Sequence, residues 1–346
     1  ISFMKRVLTL IRLLCFCLTL LWSNSSLAEL NHCVLLLYHQ FSDTGPKSTS
    51  ISPLLFEEHL KYLQTNDFQV LPLKSVIEIL KMQTSLPDKC VSLTADDGYL
   101  SIYKSAYPLL VKYKTPMSVF VSTEAIDKQY PSIMSWEQLR EMSEFVDVYN
   151  HSLTHQHLND KTTEVLLNEI TSAQLRLKSE LFQEIKFFAY PYGEFDEKAY
   201  RLIKELGYTG FGQHSGAIGT KSDFINLPRF PMASGYAEMD SFVMKINTLP
   251  MPVNNEEPKF MATSGNSNPT LRINFSRSLT NNERYQFACY VSGQEMPNLT
   301  WLNSESVTVQ AKEPLPQGRS RYNCTMPSKE KGQYYWYSKV WLSAAN

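Results

Sequence analysis

The sequence lacks an excess of charge of either sign. Its 346 residues include 33 Lys and Arg against 34 Asp and Glu, which gives a formal net charge of −1. Proteins that bind nucleic acid present a basic surface, so we expect no nucleic-acid partner. After residue 28 the sequence also lacks an apolar run long enough to cross a bilayer. We therefore expect no stable membrane span in the mature protein.

The first 28 residues have the pattern of a cleaved signal peptide. Lys5 and Arg6 precede an apolar run over residues 13–22, which is too short to span a bilayer comfortably. Small residues follow and end at Ala28, where a signal peptidase would cut. This pattern predicts an exported protein, periplasmic or secreted. An uncleaved N-terminal membrane anchor is the alternative.

Four cysteines follow the predicted signal peptide, namely Cys33, Cys90, Cys289 and Cys324. An even number of cysteines in an exported protein indicates disulfides. Cys33 and Cys90 each begin a predicted strand, so a bridge is sterically allowed if the two strands are neighbours. A Cys289–Cys324 bridge would close a loop of a few tens of residues and contribute on the order of 3–4 kcal/mol. Four buried free thiols are the alternative.

Short apolar runs alternate with segments of helical spacing in the first two thirds of the chain. The first run, residues 34–38, is wholly apolar with no polar alternation, which is typical of a strand buried on both faces of a parallel sheet. The predicted strands cover residues 34–38, 90–95, 117–121, 145–149, 187–190 and 208–212. The predicted helices cover residues 53–64, 73–82, 103–113, 136–143, 163–181 and 197–206. This order predicts an α/β domain over residues 29–248, with a parallel sheet closed into a barrel and its chemistry at the carboxyl ends of the strands.

The composition changes after residue 248. Residues 249–269 are rich in Pro, Asn, Ser and Glu, which predicts a linker. Residues 270–346 contain short strand-like segments separated by turn residues, which predicts a small all-β sandwich. Trp301 between the last two cysteines, and Tyr322 two residues before the second of them, are similar to an immunoglobulin-like pattern.

Two motifs at predicted strand ends carry metal-ligating residue types. Asp96 and Asp97 directly follow the strand at 90–95, and Gly98 begins a turn. His151 and His155 lie four residues apart, so on a helical turn both rings would face the same way and could bind one metal ion. One carboxylate completes such a ligand set and leaves positions open for water and substrate, and a second carboxylate beside it is placed as a general base. The joint occurrence of the two motifs indicates a hydrolytic metal site.

These motifs resemble those of the polysaccharide deacetylases of the NodB-homology type, carbohydrate esterase family 4. The resemblance covers about residues 33–235 and rests on Thr-Ala-Asp-Asp-Gly at 94–98, His-Ser-Leu-Thr-His at 151–155 and Ala-Tyr-Pro-Tyr-Gly at 189–193. It implies a distorted (β/α) barrel and an enzyme that removes N-acetyl groups from a polysaccharide or oligosaccharide containing GlcNAc. The Tyr-Pro-Tyr-Gly form is similar to the branch of exported poly-N-acetylglucosamine deacetylases.

The resemblance also implies residue roles. It assigns a metal ion to Asp97, His151 and His155, the general base to Asp96, and an oxyanion donor to the backbone N–H of Tyr192. The implied cofactor is a divalent metal, zinc first, with Co²⁺, Ni²⁺ or Fe²⁺ as alternatives that this ligand set also accepts. The implied reaction is attack of a metal-bound water on the acetamide carbonyl, with Asp96 accepting the proton, to give acetate and a free amine.

The sequence departs from the family pattern at two points. The family arginine that orients the base is replaced by Ala189, and we expect Arg229 to supply its charge from another loop. The late motif that carries the general acid is not evident. His39, at the end of the first strand, is the preferred substitute, and His214 is the alternative.

Two other functions stay open on the sequence alone. An amidohydrolase or an O-acetyl esterase would use the same residues on another substrate. A catalytically silent carbohydrate-binding protein would keep the barrel without turnover, and the replacement at Ala189 is compatible with it.

Overall fold

The computed structural model describes residues 31–260, 262–263 and 267–343. The predicted signal peptide, residues 1–28, lies outside the described residues. Within the described ranges, every helix is too short or too polar to cross a membrane.

A curled parallel sheet forms the centre of the first part of the chain. The strands are β1 (His32–Tyr38), β2 (Gln40–Phe41), β3 (Ser50–Ile51), β4 (Gln69–Val70), β5 (Cys90–Ala95), β6 (Met117–Val121), β7 (Val146–Asn150), β8 (Phe187–Ala189), β9 (Thr209–Phe211), β10 (Ile218–Gly219) and β11 (Phe230–Pro231). Nine of them form one sheet in the order β10-β1-β5-β6-β7-β8-β9, with β4 beside β5 and β11 beside β1. All its pairs are parallel except β1 with β10. Every residue of β5 is buried, including Ser92 and Thr94, as expected for a strand of a parallel sheet that is covered on both faces.

Helices alternate with these strands and pack their apolar faces against the sheet. They are α1 (Pro53–Thr65), α2 (Leu73–Lys81), α3 (Tyr107–Tyr113), α4 (Thr123–Asp127), α5 (Trp136–Glu141), α6 (Thr163–Leu181), α7 (Glu197–Glu205) and α8 (Met239–Ile246), with a π-helical turn at Ile102–Ala106 before α3. Helix α1 begins where the Ser52 hydroxyl accepts from the Leu55 N–H, and it buries Phe56, Leu60 and Leu63 at helical spacing. The α/β order predicted from the sequence is confirmed.

A short segment after β9 closes the sheet into a distorted barrel. Leu227 bridges to Phe211 of β9, and three residues later Phe230 pairs with Leu36 of β1. This segment, residues 227–231, therefore lies between the two ends of the curled sheet. The carboxyl ends of β1, β5 and β7 meet at one edge of the barrel because these strands are parallel.

The last part of the chain forms two further sheets. Their strands are β12 (Leu249–Pro250), β13 (Val253–Glu257), β14 (Ala262–Thr263), β15 (Thr270–Phe275), β16 (Ala288–Val291), β17 (Asn298–Asn303), β18 (Ser306–Gln310), β19 (Gly318–Pro327) and β20 (Tyr334–Ser343), with helix α9 (Asn281–Gln286) before β16. One sheet has the order β12-β20-β19-β16 with β14 beside β20, and the other has the order β13-β15-β18-β17. Leu271 and Ile273 of one sheet share a buried core with Tyr322 and Trp341 of the other. This is the all-β sandwich expected from the sequence, but the predicted linker at 249–269 contributes strands to it.

Both expected disulfides, Cys33–Cys90 and Cys289–Cys324, are formed. The first joins the neighbouring strands β1 and β5. The second joins residues that lie directly opposite each other on β16 and β19 of one sheet, whereas the immunoglobulin bridge connects two sheets. The immunoglobulin-like pattern therefore does not extend to the bridge.

Tyr322 does make the contacts of an immunoglobulin tyrosine corner. Its hydroxyl donates to the Pro269 carbonyl at 2.7 Å and accepts from the Ala311 N–H at 3.1 Å. This hydroxyl fixes two loop segments to the sandwich core, as the corner tyrosine of immunoglobulin domains does.

Candidate active site

The two neighbouring aspartates lie in the turn that ends β5. Asp97 and Gly98 both have left-handed backbone, with φ of 72° and 71°. A side chain at Gly98 would be strained in a second way, because a Cβ there would lie 2.9 Å from Val121 Cγ1. The turn leaves Asp96 fully buried and Asp97 partly buried. The two carboxylates therefore have different surroundings, which suits two different roles.

The histidine motif forms a loop after β7, and the helical turn suggested by its spacing is wrong. Ser152 and His155 have left-handed φ values of 72° and 62°. Asn150 Oδ1 accepts from the Ser152 N–H at 2.9 Å, and Ser152 Oγ accepts from the His155 N–H at 3.0 Å. These hydrogen bonds bring the rings of His151 and His155 together, with centroids 4.8 Å apart.

Asp97, His151 and His155 form a cluster with the geometry of a metal site. Asp97 Oδ1 lies 3.2 Å from His151 Nε2 and 3.1 Å from His155 Nε2. One ligand atom from each residue lies within 4.8 Å of the other two. Ligand atoms about 2.0–2.2 Å from one tetrahedral metal ion are about 3.3 Å apart, so the two shorter spacings fit an ion of the size of zinc.

The hydrogen bond made by His151 leaves a lone pair facing Asp97. His151 Nδ1 donates to the Ala189 carbonyl at 2.8 Å, because a carbonyl can only accept. Nε2 is then the unprotonated nitrogen of the neutral ring. Neither this atom nor Asp97 Oδ1 has a hydrogen-bond partner among the described residues, although both are buried. Two buried acceptors at this distance are stabilised by a cation between them, which is how a metal-ligating histidine and carboxylate are arranged.

The aspartates and histidines of the site shift one another's pKa values. Burial raises the pKa of Asp97, but His151 and His155 outweigh burial and hold that pKa well below its usual range. Burial likewise lowers the pKa of His151, but Asp96 and Asp97 outweigh it and raise that pKa. A positive charge between these groups, whether a proton on an imidazole or a metal ion, is therefore favoured at this cluster.

Asp96 is buried beside the cluster and paired with a buried arginine. Arg229 donates from Nη1 to Oδ1 at 2.7 Å and from Nη2 to Oδ2 at 2.8 Å. Burial raises the pKa of Asp96, but the charges of Arg229 and His151 outweigh it and hold that pKa below its usual value. Asp96 is therefore ionised at neutral pH. Its Oδ2 lies 4.0 Å from His151 Nε2, so the carboxylate reaches the edge of the cluster.

Arg229 reaches Asp96 from the segment that closes the barrel. Its Nε donates to the Gly212 carbonyl at 2.9 Å, and its Nη1 also lies 3.3 Å from Thr94 Oγ1. The guanidinium lies 5.3 Å from the centre of the Phe120 ring. These contacts fix the plane of the guanidinium against the carboxylate, as a bidentate pair requires. The structure thus brings Arg229 to Asp96, where the sequence led us to expect it.

Tyr192 lies after β8 and packs on the histidine loop. Its backbone is left-handed, with φ 60° and ψ 2°. Its ring stacks on His157 at a centroid distance of 4.1 Å and contacts the His155 ring at 4.6 Å. His157 Nδ1 donates to the buried carboxylate of Glu194 at 2.6 Å. These contacts join the loops after β7 and β8 beside the cluster.

The two histidines considered as general acids lie in different places. His39 follows β1 directly, and the Asp96 N–H donates to the carbonyl that ends this strand at 3.0 Å. Burial lowers the pKa of His39, and the neighbouring Asp96 and Asp97 oppose that shift. His214 lines the cleft between the barrel and the sandwich, where burial and nearby cations lower its pKa to about 3. The structure therefore places His39 with the aspartates and His214 at the domain boundary.

Sequence reasoning missed two residues near the site. Glu194 directly follows the third motif, and its position there was the only signal for it. Arg319 of the sandwich donates to the Tyr192 carbonyl although the two residues lie 127 positions apart, and no sequence pattern pointed to this contact.

Tyr99 lies close to Asp97, and burial together with that carboxylate raises the pKa of Tyr99 to about 12.

Comparisons with known proteins agree with this geometry. Residues 83–211 match the family model of the polysaccharide deacetylases. The chain is 29% identical over 208 residues to the poly-beta-1,6-N-acetyl-D-glucosamine N-deacetylase of Staphylococcus aureus strain N315, covering 56% of this chain and 71% of the relative. It is 27% identical over 203 residues to YxkH of Bacillus subtilis, described as a polysaccharide deacetylase, covering 58% of this chain and 71% of the relative.

Solved structures show the same barrel. The structure of IcaB from Ammonifex degensii superposes with a TM-score of 0.55 at 25% identity, covering 62% of this chain and 94% of that one. The deacetylase PplD of Streptococcus pyogenes superposes with a TM-score of 0.58 at 22% identity, covering 62% of this chain and 98% of that one. The distorted (β/α) barrel predicted from the sequence is confirmed.

Proposed function

The chain is an enzyme of the polysaccharide deacetylase family, and from this premise we propose that it is a metal-dependent hydrolase that removes N-acetyl groups from a polymer or oligomer containing GlcNAc. The observation that carries the proposal is the cluster of Asp97, His151 and His155 beside the ionised Asp96. Three protein ligands leave positions open at a metal ion, and a carboxylate next to them is placed to take a proton. The name of the S. aureus relative supports the choice of substrate.

Asp97, His151 and His155 would hold the divalent ion. Zinc is our first choice, because two histidines and one carboxylate hold zinc in other hydrolases, and Co²⁺, Ni²⁺ or Fe²⁺ would bind the same set. When bound, the ion supplies Lewis-acid polarisation of the acetyl carbonyl and lowers the pKa of a water molecule.

Asp96 acts as the general base. Each of its carboxylate oxygens has two acceptor sites, and Arg229 occupies one on each. Oδ2 therefore keeps an acceptor site, and it is the oxygen that lies 4.0 Å from His151 Nε2. Arg229 keeps the carboxylate ionised and oriented until Oδ2 takes the proton of the attacking water. A positioned base of this kind typically contributes roughly 10²–10⁴-fold to the rate.

Tyr192 and His39 complete the reaction in this proposal. The backbone N–H of Tyr192 binds the oxyanion that forms when water adds to the carbonyl carbon. The ring of His39 passes to the leaving nitrogen the proton that Asp96 took from the water, so that the carbon–nitrogen bond breaks and a neutral amine leaves. Water and the acetamide are consumed, and acetate and the free amine are formed. Support for these roles is the position of Tyr192 against the His155 ring and of His39 beside Asp96 and Asp97.

The alternatives predict other results at the same site. A silent carbohydrate-binding protein would have no use for a buried base held ionised by a buried arginine, so the Asp96–Arg229 pair argues against it. An O-acetyl esterase would use the same residues and differs only in its substrate.

We also propose that the protein is exported and has two domains, a deacetylase domain at residues 29–248 and the β-sandwich at 270–346. Two disulfides, one in each part of the chain, support export, because such bonds persist in oxidising compartments. The strands at 249–263 place part of the proposed linker within the sandwich.

The test measures metal content, amine release and acetate release on GlcNAc oligomers and on O-acetylated sugars, using the chain from residue 29 onward. Asp97→Asn should lose the metal, whereas Asp96→Asn should keep it and lose roughly 10²–10⁴-fold in turnover. Asp88→Asn, at an exposed aspartate, is the matched control and should behave like wild type. A protein that binds zinc or Co²⁺ and releases no amine would overturn the proposal, and acetate release from esters alone would reassign it to an esterase.

A further inference from the structure

Strand β19 of the sandwich contacts two loops at the catalytic edge of the barrel. Arg319 and Arg321 lie two residues apart on this strand and so share one face. Arg319 donates from Nη1 to the Tyr192 carbonyl, and its Nε pairs with Glu194 Oε1 at 3.3 Å. Arg321 Nη2 donates to the Gln213 carbonyl at 3.2 Å. Two arginines therefore tie the sandwich to the loops that follow β8 and β9.

The two barrel loops are also packed on each other. Gly193 has a left-handed φ of 69°, and a Cβ there would lie 2.8 Å from the backbone nitrogen of Gln213. Only glycine permits so close an approach. Because the loops touch through their backbones, a strand that holds one of them also restrains the other.

Glu194 extends the contact of Arg319 to the histidine loop. Its carboxylate is buried and accepts from His157 Nδ1 at 2.6 Å through Oε2, whereas Arg319 pairs with Oε1. The His157 ring stacks on Tyr192, and Tyr192 contacts the ring of His155. A continuous series of contacts thus runs from the sandwich to a proposed metal ligand.

The backbone of Tyr192 needs such support. Its φ of 60° is left-handed, a conformation that bulky residues adopt rarely. Backbone of this kind persists only where surrounding contacts over-determine it. Here the Tyr192 carbonyl is bound by Arg319 and its ring is held against His155 and His157. Loss of the carbonyl contact would let Tyr192 relax and change the direction of its N–H.

We propose that the β-sandwich is part of the catalytic apparatus, and that Arg319 is a positioning residue that holds Tyr192 in its left-handed conformation through the Tyr192 carbonyl and Glu194. The inference rests on the proposed function, in which the Tyr192 N–H binds the oxyanion. Removing one such donor typically costs roughly 10²–10³-fold in turnover, and displacing it costs less. A barrel without this contact would bind metal and substrate but turn over slowly.

The activity test compares Arg319→Ala and Arg319→Lys with Arg272→Ala, a control on β15 of the sandwich whose ion pair with Glu257 is exposed. Arg319→Ala should lower kcat by roughly 10–100-fold and leave KM within about twofold, because the contact acts on the transition state. Metal content should not change, and the melting temperature should fall by only a few degrees, because His157 still binds the buried Glu194 carboxylate. Arg319→Lys should recover part of kcat, because lysine keeps the positive charge but cannot bind the Tyr192 carbonyl and Glu194 with the fixed geometry of a guanidinium.

Hydrogen–deuterium exchange tests the inference without turnover. Exchange over residues 187–195 should be faster in Arg319→Ala than in wild type and unchanged in Arg272→Ala. Wild-type kcat in Arg319→Ala, or a loss that only follows metal content, would overturn the positioning role. If the wild-type protein releases no acetate from any substrate, the proposed function fails separately. Unchanged exchange over 187–195 would then overturn the inference, and faster exchange would support the structural link.

Discussion

Replacing Arg229 by methionine should remove the base function of Asp96 without removing the metal. The substitution deletes two charge-assisted hydrogen bonds, of 2.7 and 2.8 Å, and leaves a buried carboxylate without its cation. Burial, the largest influence on the pKa of Asp96, raises it, and Arg229 is the first of the groups that oppose burial. The pKa of Asp96 should therefore rise in the variant.

Two magnitudes follow from this geometry. Breaking a buried pair by removing one partner costs about 3–5 kcal/mol of stability. Loss of a general base costs roughly 10²–10⁴-fold in turnover. The pKa of Asp96 is lower in the folded wild-type protein than in the unfolded chain, where it is about 3.9. The Asp96–Arg229 pair therefore contributes its full stability to the folded state above a pH of about 3.9. This stability is lost as the pH falls through the folded-state pKa. In Arg229→Met the acid limb of kcat/KM should move to higher pH.

The assay combines urea unfolding, metal analysis and a pH profile of kcat/KM. Arg201→Met is the matched control, because its pair with Glu197 is exposed and should contribute at most about 1 kcal/mol. The double variant Asp96→Asn, Arg229→Met should regain much of the lost stability, since it buries no unpaired charge. Turnover within twofold of wild type and an unmoved acid limb in Arg229→Met would refute the argument that Arg229 keeps Asp96 ionised.

Two stability predictions concern the turn after β5 and the sandwich. Gly98→Ala should cost about 1–3 kcal/mol, because φ is 71° there and the new Cβ would lie 2.9 Å from Val121 Cγ1; an unchanged urea midpoint would contradict this. Tyr322→Phe should cost about 1–3 kcal/mol, because the buried hydroxyl binds two backbone groups, and a melting temperature equal to that of wild type would show that these bonds contribute nothing.

The barrel could be predicted from the sequence because each of its strands corresponds to a short run of neighbouring residues. Residues 34–38 form an unbroken apolar run, and all five are buried in β1. The run at 117–121 is likewise buried throughout, in β6. The parallel order of such strands places their carboxyl ends at one edge, so the sequence predicts a common site for Asp96 and His151.

Sequence patterns gave wrong or no predictions where the structure depends on backbone conformation or on contacts between distant segments. The four-residue spacing of His151 and His155 fits a helix, but left-handed residues at Ser152 and His155 make a loop. The predicted linker contains the edge strand β13 (Val253–Glu257), whose residues after Val253 are all polar and mostly exposed, so this strand had the composition of a loop. Arg319 gave no signal, because its contact with Tyr192 joins distant segments of the chain.

The position of Arg229 couples the proposed base to the closure of the barrel. It lies 133 residues beyond Asp96, on the segment between β9 and β1 that closes the sheet. Asp97 and His151, in contrast, follow the central strands β5 and β7. The proposed metal ligands therefore come from the middle of the sheet, whereas the cation that holds Asp96 ionised comes from the segment that joins its two ends.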